Sequence, residues 1–303
     1  MRIYGFTEYG GPEVQRFMDV DEEVLRPGTV LIQTKAAGIN PADIKVRSGQ
    51  RTGSIQVEFP MAIGREASGV VLEASADSGF APGDKVFGST SSGKGALADY
   101  GLLDAVQTAL IPDGVTFEQA ACIPVAIATA WDALHELDLK PSQTLLVLGA
   151  GGGVGSHALQ FARHLGLRTI GVASHSKKEL VESFGAIHIE SRTFQDLGVS
   201  EETEVDGVLD CVGGETLRLG AALVADKSRI RSIAATELAQ KLGGSAVTRR
   251  RTTAVYSEVA HLVQTGAVAP NISGVVVFEE ARKAIAEVES GHTRGKTVVV
   301  FDA

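Results

Sequence analysis

The sequence predicts an α/β protein built from an irregular β-barrel domain and an inserted domain with a doubly wound parallel sheet. Three observations predict it. Short strand-like runs between Gly/Pro turns fill the first third of the chain, strands and helices alternate from about residue 144 to residue 235, and the closing segment returns to the character of the first. The barrel domain is therefore expected in two pieces, residues 1–120 and 268–303, around an inserted domain over residues 121–267.

In the first piece, Val30–Ile39 has strand character and stops at Asn40-Pro41. Ala67–Ala74 follows a glycine turn, and Pro82-Gly83-Asp84 marks another turn before Lys85-Val86-Phe87. Helical spacing begins at Phe117, is interrupted by Pro124, and resumes from Ala128 to Leu137. Thr144–Ala150 is an apolar run of the kind that a parallel sheet buries on both faces. A helix over Ser156–Leu165, a strand over Arg168–Ser174, a helix over Lys177–Phe184 and a short strand over Ile187–Glu190 follow. Val205–Val212, a helix near Thr216–Val224 and Arg229–Ala235 continue the alternation. A helix over Tyr256–Thr265 leads through Ala269-Pro270-Asn271 to a strand at Gly274–Phe278, a helix at Glu279–Glu289 and a last strand at Lys296–Phe301.

Composition excludes several classes of function. The 303 residues are ample for a large core without a disulfide or metal staple. Lys and Arg number 28 against 37 Asp and Glu, and a net charge of -9 disfavours nonspecific nucleic-acid binding; Arg249-Arg250-Arg251 is too short a basic run to reverse that. No apolar stretch reaches the ~18 residues of a membrane span, and the N-terminus lacks the apolar segment of a signal peptide. Two cysteines, Cys122 and Cys211, make no disulfide framework, so a cytoplasmic location is expected. The glycines are in excess, 35 of the 303 residues, where roughly 7% is usual.

Six residues, Ala150-Gly151-Gly152-Gly153-Val154-Gly155, follow an apolar strand and open a helix, the context that gives a glycine pattern meaning. Such glycines let backbone N–H groups approach a pyrophosphate, and the helix N-terminus adds a favourable dipole. The first position of the usual fingerprint is Ala150 here, so the match is imperfect. A Gly-rich turn without a ligand is the bland alternative. About 20 residues past such a loop an NAD site usually places Asp or Glu. This chain has Ser174, Lys177 and Lys178 instead, a hydroxyl and two cations suited to the 2′-phosphate of NADPH. A solvated first helical turn would also accept the lysines, although cations there oppose the helix dipole.

With these residues in hand, the chain resembles the zinc-independent medium-chain dehydrogenase/reductases of the quinone oxidoreductase (zeta-crystallin-like) family. The resemblance runs through Asn40-Pro41-Ala42-Asp43, Gly64-Arg65-Glu66-Ala67-Ser68-Gly69-Val70, Pro82–Val86, Thr129-Ala130-Trp131, the glycine loop, Asp210-Cys211-Val212-Gly213-Gly214 and Gly295-Lys296. It implies a split GroES-like domain, an inserted Rossmann domain, a cleft between them and a homodimer. It further implies that Asn40 contacts the nicotinamide end, that Thr129 contacts the cofactor near it, and that Gly152, Gly153 and Val154 hold the pyrophosphate. Ser174 and Lys178 match positions that take the adenosine phosphate, and Cys211, Val212, Ile233 and Ala234 match strand ends that line nicotinamide and ribose. Thr129 read as a helix cap and Cys211 as a small buried residue are the structural alternatives. Where many relatives carry a tyrosine after the third strand, this chain has Ser191-Arg192, and Arg192 is left to reach a phosphate.

Zinc-dependent relatives place Cys where Asn40 stands and His where Arg65 stands, and four close cysteines in a structural lobe. With neither, a metal-free reductase is expected. The expected activity is hydride transfer from NADPH to a quinone or an α,β-unsaturated carbonyl, acceptors electrophilic enough to react without a Lewis acid. Enoyl-thioester or polyketide-type enoyl reduction is a rival, weakened because Lys45 and Arg51 occupy positions where relatives carry tyrosines. A non-catalytic NADPH-binding protein is another. Asn40, Lys45 and Arg51 are the weak catalytic candidates, and the two cations are as readily surface residues. The small-molecule acceptor and a second copy of the chain are the expected partners. The dimer is expected to form through the nucleotide domain, using the edge that the strand Gly274–Phe278 would offer there.

Overall fold

The computed structural model describes residues 1–197, 204–291 and 293–302. It divides into two compact units, Met1–Ala126 with Arg251–Gln264 and Ile272–Ala303, and Ile127–Arg250 with Thr265–Asn271. The helix Thr253–Gln264 thus goes with the first unit, whereas the expected boundaries put it in the inserted domain. Its Tyr256 is buried there, with its hydroxyl 2.7 Å from Ser89 Oγ and its ring centroid 6.0 Å from that of Phe87.

The first unit is built on a six-stranded sheet ordered Ile272–Val277, Lys296–Val300, Thr29–Ile39, Glu66–Ala74, Lys85–Thr90 and Tyr100–Leu110. Thr29–Ile39 also pairs with Tyr100–Leu110, which closes the last four strands into a barrel and removes their edges. Such long strands must bend to close, and Thr29–Ile39 does so through irregularities at Leu31/Ile32 and Thr34/Ala36. Val30, Ile32, Val71, Val86 and Leu103 fill the interior, and helix Ala281–Glu289 covers it with Ala284, Ile285 and Val288. A small antiparallel sheet of Gln15–Asp19, Arg2–Phe6 and Met61–Ala62 completes the unit.

Asn40-Pro41 ends one strand, as the sequence predicts, and also starts a helix, Pro41–Arg47, that it does not. Asn40 is the N-cap, Pro41 sits in the first turn, and Asp43 completes a capping box by accepting from the Asn40 N–H at 2.8 Å. The helical stretch from Phe117 likewise divides. Thr116 caps the short helix Phe117–Ala120, and a π-helical turn follows at Ile123–Ile127, where Pro124 has no N–H to continue the ladder.

The second unit holds six parallel strands in the order Ile187–Glu190, Arg168–Ala173, Thr144–Leu148, Gly207–Asp210, Ile230–Ser232, Ser245–Ala246. The chain winds outward in one direction from Thr144–Leu148 and then crosses to its other side, so the switch point lies at the C-terminal end of that strand. All five residues of Thr144–Leu148 are buried, the result of helices covering both faces of the sheet.

The strand expected at Gly274–Phe278 forms over Ile272–Val277, but on the first unit's sheet rather than in the nucleotide-binding one. It is an edge strand with Val275 and Val277 about half exposed. The motive for pairing through the nucleotide domain therefore falls away, because that sheet ends instead at Ile187–Glu190 and Ser245–Ala246.

Candidate active site

At the switch point the chain turns from Thr144–Leu148 into helix Gly153–His164, with Gly152 as the N-cap. Three glycines do separate jobs. Gly149, at φ +82°, makes the turn that an L side chain resists. Gly152 has open space around a would-be Cβ, only the Gly149 oxygen lying within 4 Å, which leaves its face clear for a ligand. A Cβ on Gly155 would collide with the Gly149 oxygen and come within 2.8 Å of Ala150 Cα, so its absence lets helix and strand pack closely. Ala150, the imperfect position of the motif, is buried, and the tight-turn role falls one residue earlier. The first-turn N–H groups of Gly153 and Val154 have no acceptor within the helix and sit in the dipole's positive end. That cradle fits a pyrophosphate.

Beside the loop, the ends of the next strands are held by one buried carboxylate. Asp210 accepts from the Val212 N–H at 2.9 Å, the Gly213 N–H at 2.8 Å and Ser232 Oγ at 2.6 Å. Ser232 Oγ in turn accepts from the Ala234 and Ala235 N–H groups. Sequence motifs include Asp210 without revealing this role. A Cβ on Gly149 would lie 2.9 Å from the Val212 side chain and 3.2 Å from that of Cys211, so these strand ends adjoin the loop. Val212 is 54% exposed, Ile233 half-buried and Ala234 exposed. Burial, with Asp210 nearby, pushes the Cys211 thiol up, so it stays protonated. Thr129 is buried in the first turn of Ala128–Leu137.

On the other side of the switch point, Ser174 is exposed and caps the short turn His175–Lys177, with Ser176 Oγ 3.2 Å away. The structure gives the place against the loop to Lys177. A Cβ on Gly151 would meet its Cβ at 2.9 Å and its Cγ at 3.1 Å, so the bare glycine makes room for the lysine stem. Lys178, the sequence favourite, points instead along its helix toward Glu182, 3.8 Å away, with its side chain half exposed. Arg192 is exposed in helix Ser191–Leu197.

In the first unit Asn40 anchors a buried polar cluster. Its Nδ2 donates to Glu66 Oε1 at 2.8 Å, and its Oδ1 accepts from Lys296 Nζ at 2.6 Å. Lys296, 2% exposed, also donates to Glu66 Oε1 at 2.7 Å and the Ile39 carbonyl at 3.0 Å. The Val125 N–H satisfies Glu66 Oε2 at 2.8 Å. One amide N–H of Asn40 remains beyond these bonds. Burial pushes the neighbouring Cys122 thiol up to about 12. Lys45 and Arg51 are half-buried.

Asp43 is 3% exposed, and its carboxyl is pushed from 3.8 up to about 6, chiefly by burial. The Asn40 N–H holds it down, Glu66 raises it further, and Arg65 and Lys296 oppose. Between those two values the folded protein keeps a proton that the unfolded chain has lost, so stability falls as pH rises through that window. At about 1.4 kcal/mol per pH unit, wild type should lose up to about 3 kcal/mol there. Asp43→Asn should lack this loss, gaining on wild type in urea unfolding between pH 4 and pH 7.5. A constant difference between the two proteins would contradict it.

Comparison with known proteins matches the alcohol dehydrogenase GroES-like domain over residues 26–113 and the zinc-binding dehydrogenase family over residues 184–299. The mouse mitochondrial NAD(P)H oxidoreductase RTN4IP1 is 30% identical over 99% of this chain and 89% of its own length. The chain is a medium-chain dehydrogenase/reductase of the zinc-independent, quinone-oxidoreductase-like branch. This reductase is also similar to the chloroplastic NADPH-dependent alkenal/one oxidoreductase of Arabidopsis thaliana, 29% identical over 99% of the chain and 79% of that protein. Its fold superposes on the quinone oxidoreductase of Coxiella burnetii with a TM-score of 0.90, at 26% identity and 99% coverage of both chains. The two units are accordingly a GroES-like barrel and a Rossmann domain, and the chain is an oxidoreductase that binds a nicotinamide dinucleotide.

One matched family is described as zinc-binding, and the residues of this reductase do not fit that metal. Asn40 offers an amide already bonded to Glu66 and Lys296, and Arg65 offers a cation. Among the described residues no group of three or more His, Cys, Asp or Glu is placed to hold a metal ion. No described helix is long and apolar enough to cross a membrane.

Proposed function

We propose that the protein is an NADPH-dependent reductase that transfers a hydride to a quinone or an α,β-unsaturated carbonyl without zinc. The observation that carries this reading is the pairing of a dinucleotide loop with an adenosine side where Ser174 stands in place of an acid and Lys177 lies against Gly151. In this reading Gly152, Gly153 and Val154 hold the pyrophosphate through backbone N–H groups. Ser174 and Lys177 take the 2′-phosphate, with Lys178 and Arg192 adding charge at longer range. Cys211, Val212, Ile233 and Ala234 line the ribose and nicotinamide, and Thr129 and Asn40 contact the cofactor near its reactive end. NADPH, when bound, supplies the hydride. The Lys296–Glu66 pair fixes the Asn40 amide, so its remaining N–H points one way only. With no Lewis acid, the acceptor must be electrophilic through its own conjugation.

The test is NADPH oxidation with 1,4-naphthoquinone, an enal and crotonyl-CoA, before and after dialysis against a chelator. Turnover of the quinone or enal, unchanged by chelation, is expected. Stoichiometric zinc whose removal abolishes activity would overturn the metal-free part. Preferred turnover of crotonyl-CoA would move the assignment to thioester reduction, and no turnover at all would leave a binding protein.

A reducing cytoplasm belongs to the same reading, supported by two free cysteines. So does a homodimer, for which the half-exposed valines of the edge strand Ile272–Val277 offer a pairing surface. Light scattering at micromolar protein should return twice the 31.6 kDa chain mass, and a monomeric mass would contradict it.

A further inference from the structure

The first unit holds three arginines that the reading above does not use. Elsewhere in this acidic chain arginine heads meet carboxylates: Arg2 with Glu279, Arg47 with Glu289, Arg231 with Glu136, and Arg250 with Asp132. Among the described residues, no side-chain hydrogen bond or ion pair engages Arg51, Arg65 or Arg251, although all three are half-buried. Arg251 Nε is fully buried and has no hydrogen-bond partner.

Backbone and side-chain geometry bring two of these together. Arg65 immediately precedes Glu66, which pairs with Ser89, and its carbonyl accepts from the Thr90 N–H at 3.1 Å. Ser89 Oγ meets the Tyr256 hydroxyl at 2.7 Å, and the Tyr256 N–H donates at 3.0 Å to Thr252, the residue after Arg251. The Arg65 guanidinium feels the consequence. Burial lowers its pKa first, the Arg251 charge next, and Arg51 adds to both, while Asp43 is the carboxylate opposing them. Asp43 stands in the capping box of Asn40, so the cluster borders the start of helix Pro41–Arg47.

Cations withdrawn from water and set beside one another, with the Asp43 carboxylate opposing them, still carry a desolvation and repulsion cost. Among the described residues, their guanidinium heads make no hydrogen bond or ion pair that holds an element, although the Arg65 and Arg51 carbonyls do accept from backbone. A ligand oxyanion would relieve both costs, and the planar guanidinium fork binds carboxylate or phosphate oxygens in pairs.

We propose that Arg65 and Arg251 form a binding site for an oxyanion carried by the electron acceptor, a carboxylate or a phosphate. The proposal rests on the reductase reading only in taking the acceptor as the ligand. The enzyme would thus discriminate for acidic enones, quinones or carrier-linked substrates over neutral ones.

Dissociation constants measured by calorimetry on the NADP⁺-saturated protein test this without turnover. One pair of probes is trans-4-oxo-2-pentenoate and its methyl ester, the other crotonyl-CoA and crotonyl-N-acetylcysteamine. The charged member of at least one pair should bind tenfold or more tighter, the first pair indicating a free carboxylate and the second a carrier phosphate. Arg65→Gln and Arg251→Gln should each cut that preference to threefold or less, and Arg65→Lys should fall between. If Arg65→Gln does not fold, Arg251→Gln alone decides. No preference in either pair, or a preference that survives the variants, overturns the site. An equal loss of NADP⁺ affinity overturns it too, by assigning the arginines to the cofactor. Failure of the reductase reading would show separately, as absent turnover of neutral acceptors.

Discussion

Lys296→Met is expected to destabilise the protein by about 3–5 kcal/mol, the usual cost of leaving a buried charge without its partner. Glu66 is 0% exposed, and the lysine head is its counter-ion at 2.7 Å. With methionine in place, that carboxylate would keep only the Asn40 amide and the Val125 N–H. Total stabilities of domains run to about 5–15 kcal/mol, so the loss should be plain as a lowered urea midpoint with a similar slope.

The same ammonium joins four pieces of backbone. It lies on strand Lys296–Val300, bonds the end of Thr29–Ile39 through the Ile39 carbonyl, holds Asn40 at the start of helix Pro41–Arg47, and reaches the π-helical turn through Glu66 and Val125. An apolar double variant, Glu66→Leu with Lys296→Met, removes both charges and should regain much of the lost stability, since buried ion pairs often exchange for packed apolar groups at little cost. It would still leave Asn40 without either side-chain partner. If Asn40 positions the nicotinamide end, the double variant should be stable and yet poor in kcat/KM for NADPH. A double variant as unstable as the single one would show that the two charges are not coupled.

The fold was legible in the sequence where burial writes a pattern. The apolar run at Thr144–Leu148 and the alternation after it are the direct trace of a parallel sheet covered on both faces, and Ile187–Glu190 forms over the very residues read as a strand. Strands Arg2–Phe6 and Gln15–Asp19 escaped because they form a small separate sheet of five-residue strands whose residues are mixed in character. Helix Pro41–Arg47 escaped because a strand and a helix share the Asn40-Pro41 signal. At the site, the glycine loop declared itself by context, but which glycine turns and which packs depends on φ and on distances. The Asn40–Glu66–Lys296 cluster joins residues more than 200 positions apart, and the motifs that contain them do not say that they touch. Adjacent lysines posed the same problem in miniature. Sequence cannot tell which of Lys177 and Lys178 faces the loop, since on a helix start one residue's rotation decides it.

That rotation sets the last expectation: Lys177→Ala should weaken NADPH about 10- to 100-fold and leave NADH almost unaffected, with Lys178→Ala a smaller version of the same change. A charge-assisted hydrogen bond contributes roughly 1.5–3 kcal/mol, and ~1.4 kcal/mol corresponds to tenfold in affinity. Lys177 should deliver that range because its stem already lies on Gly151 and so gives up little freedom on binding. Lys178 is half exposed and faces Glu182, so solvent screens its charge and a carboxylate competes for it. Ser174 adds a hydroxyl where an acid would repel the 2′-phosphate. Titration of both cofactors against wild type, Lys177→Ala and Lys178→Ala separates the contributions, and raised salt should shrink the NADPH effect as it screens the charges. Equal loss for NADPH and NADH in Lys177→Ala would mean that the lysine supports the loop rather than the phosphate. A larger loss in Lys178→Ala would mean that its ion pair with Glu182 opens to let it reach the ligand.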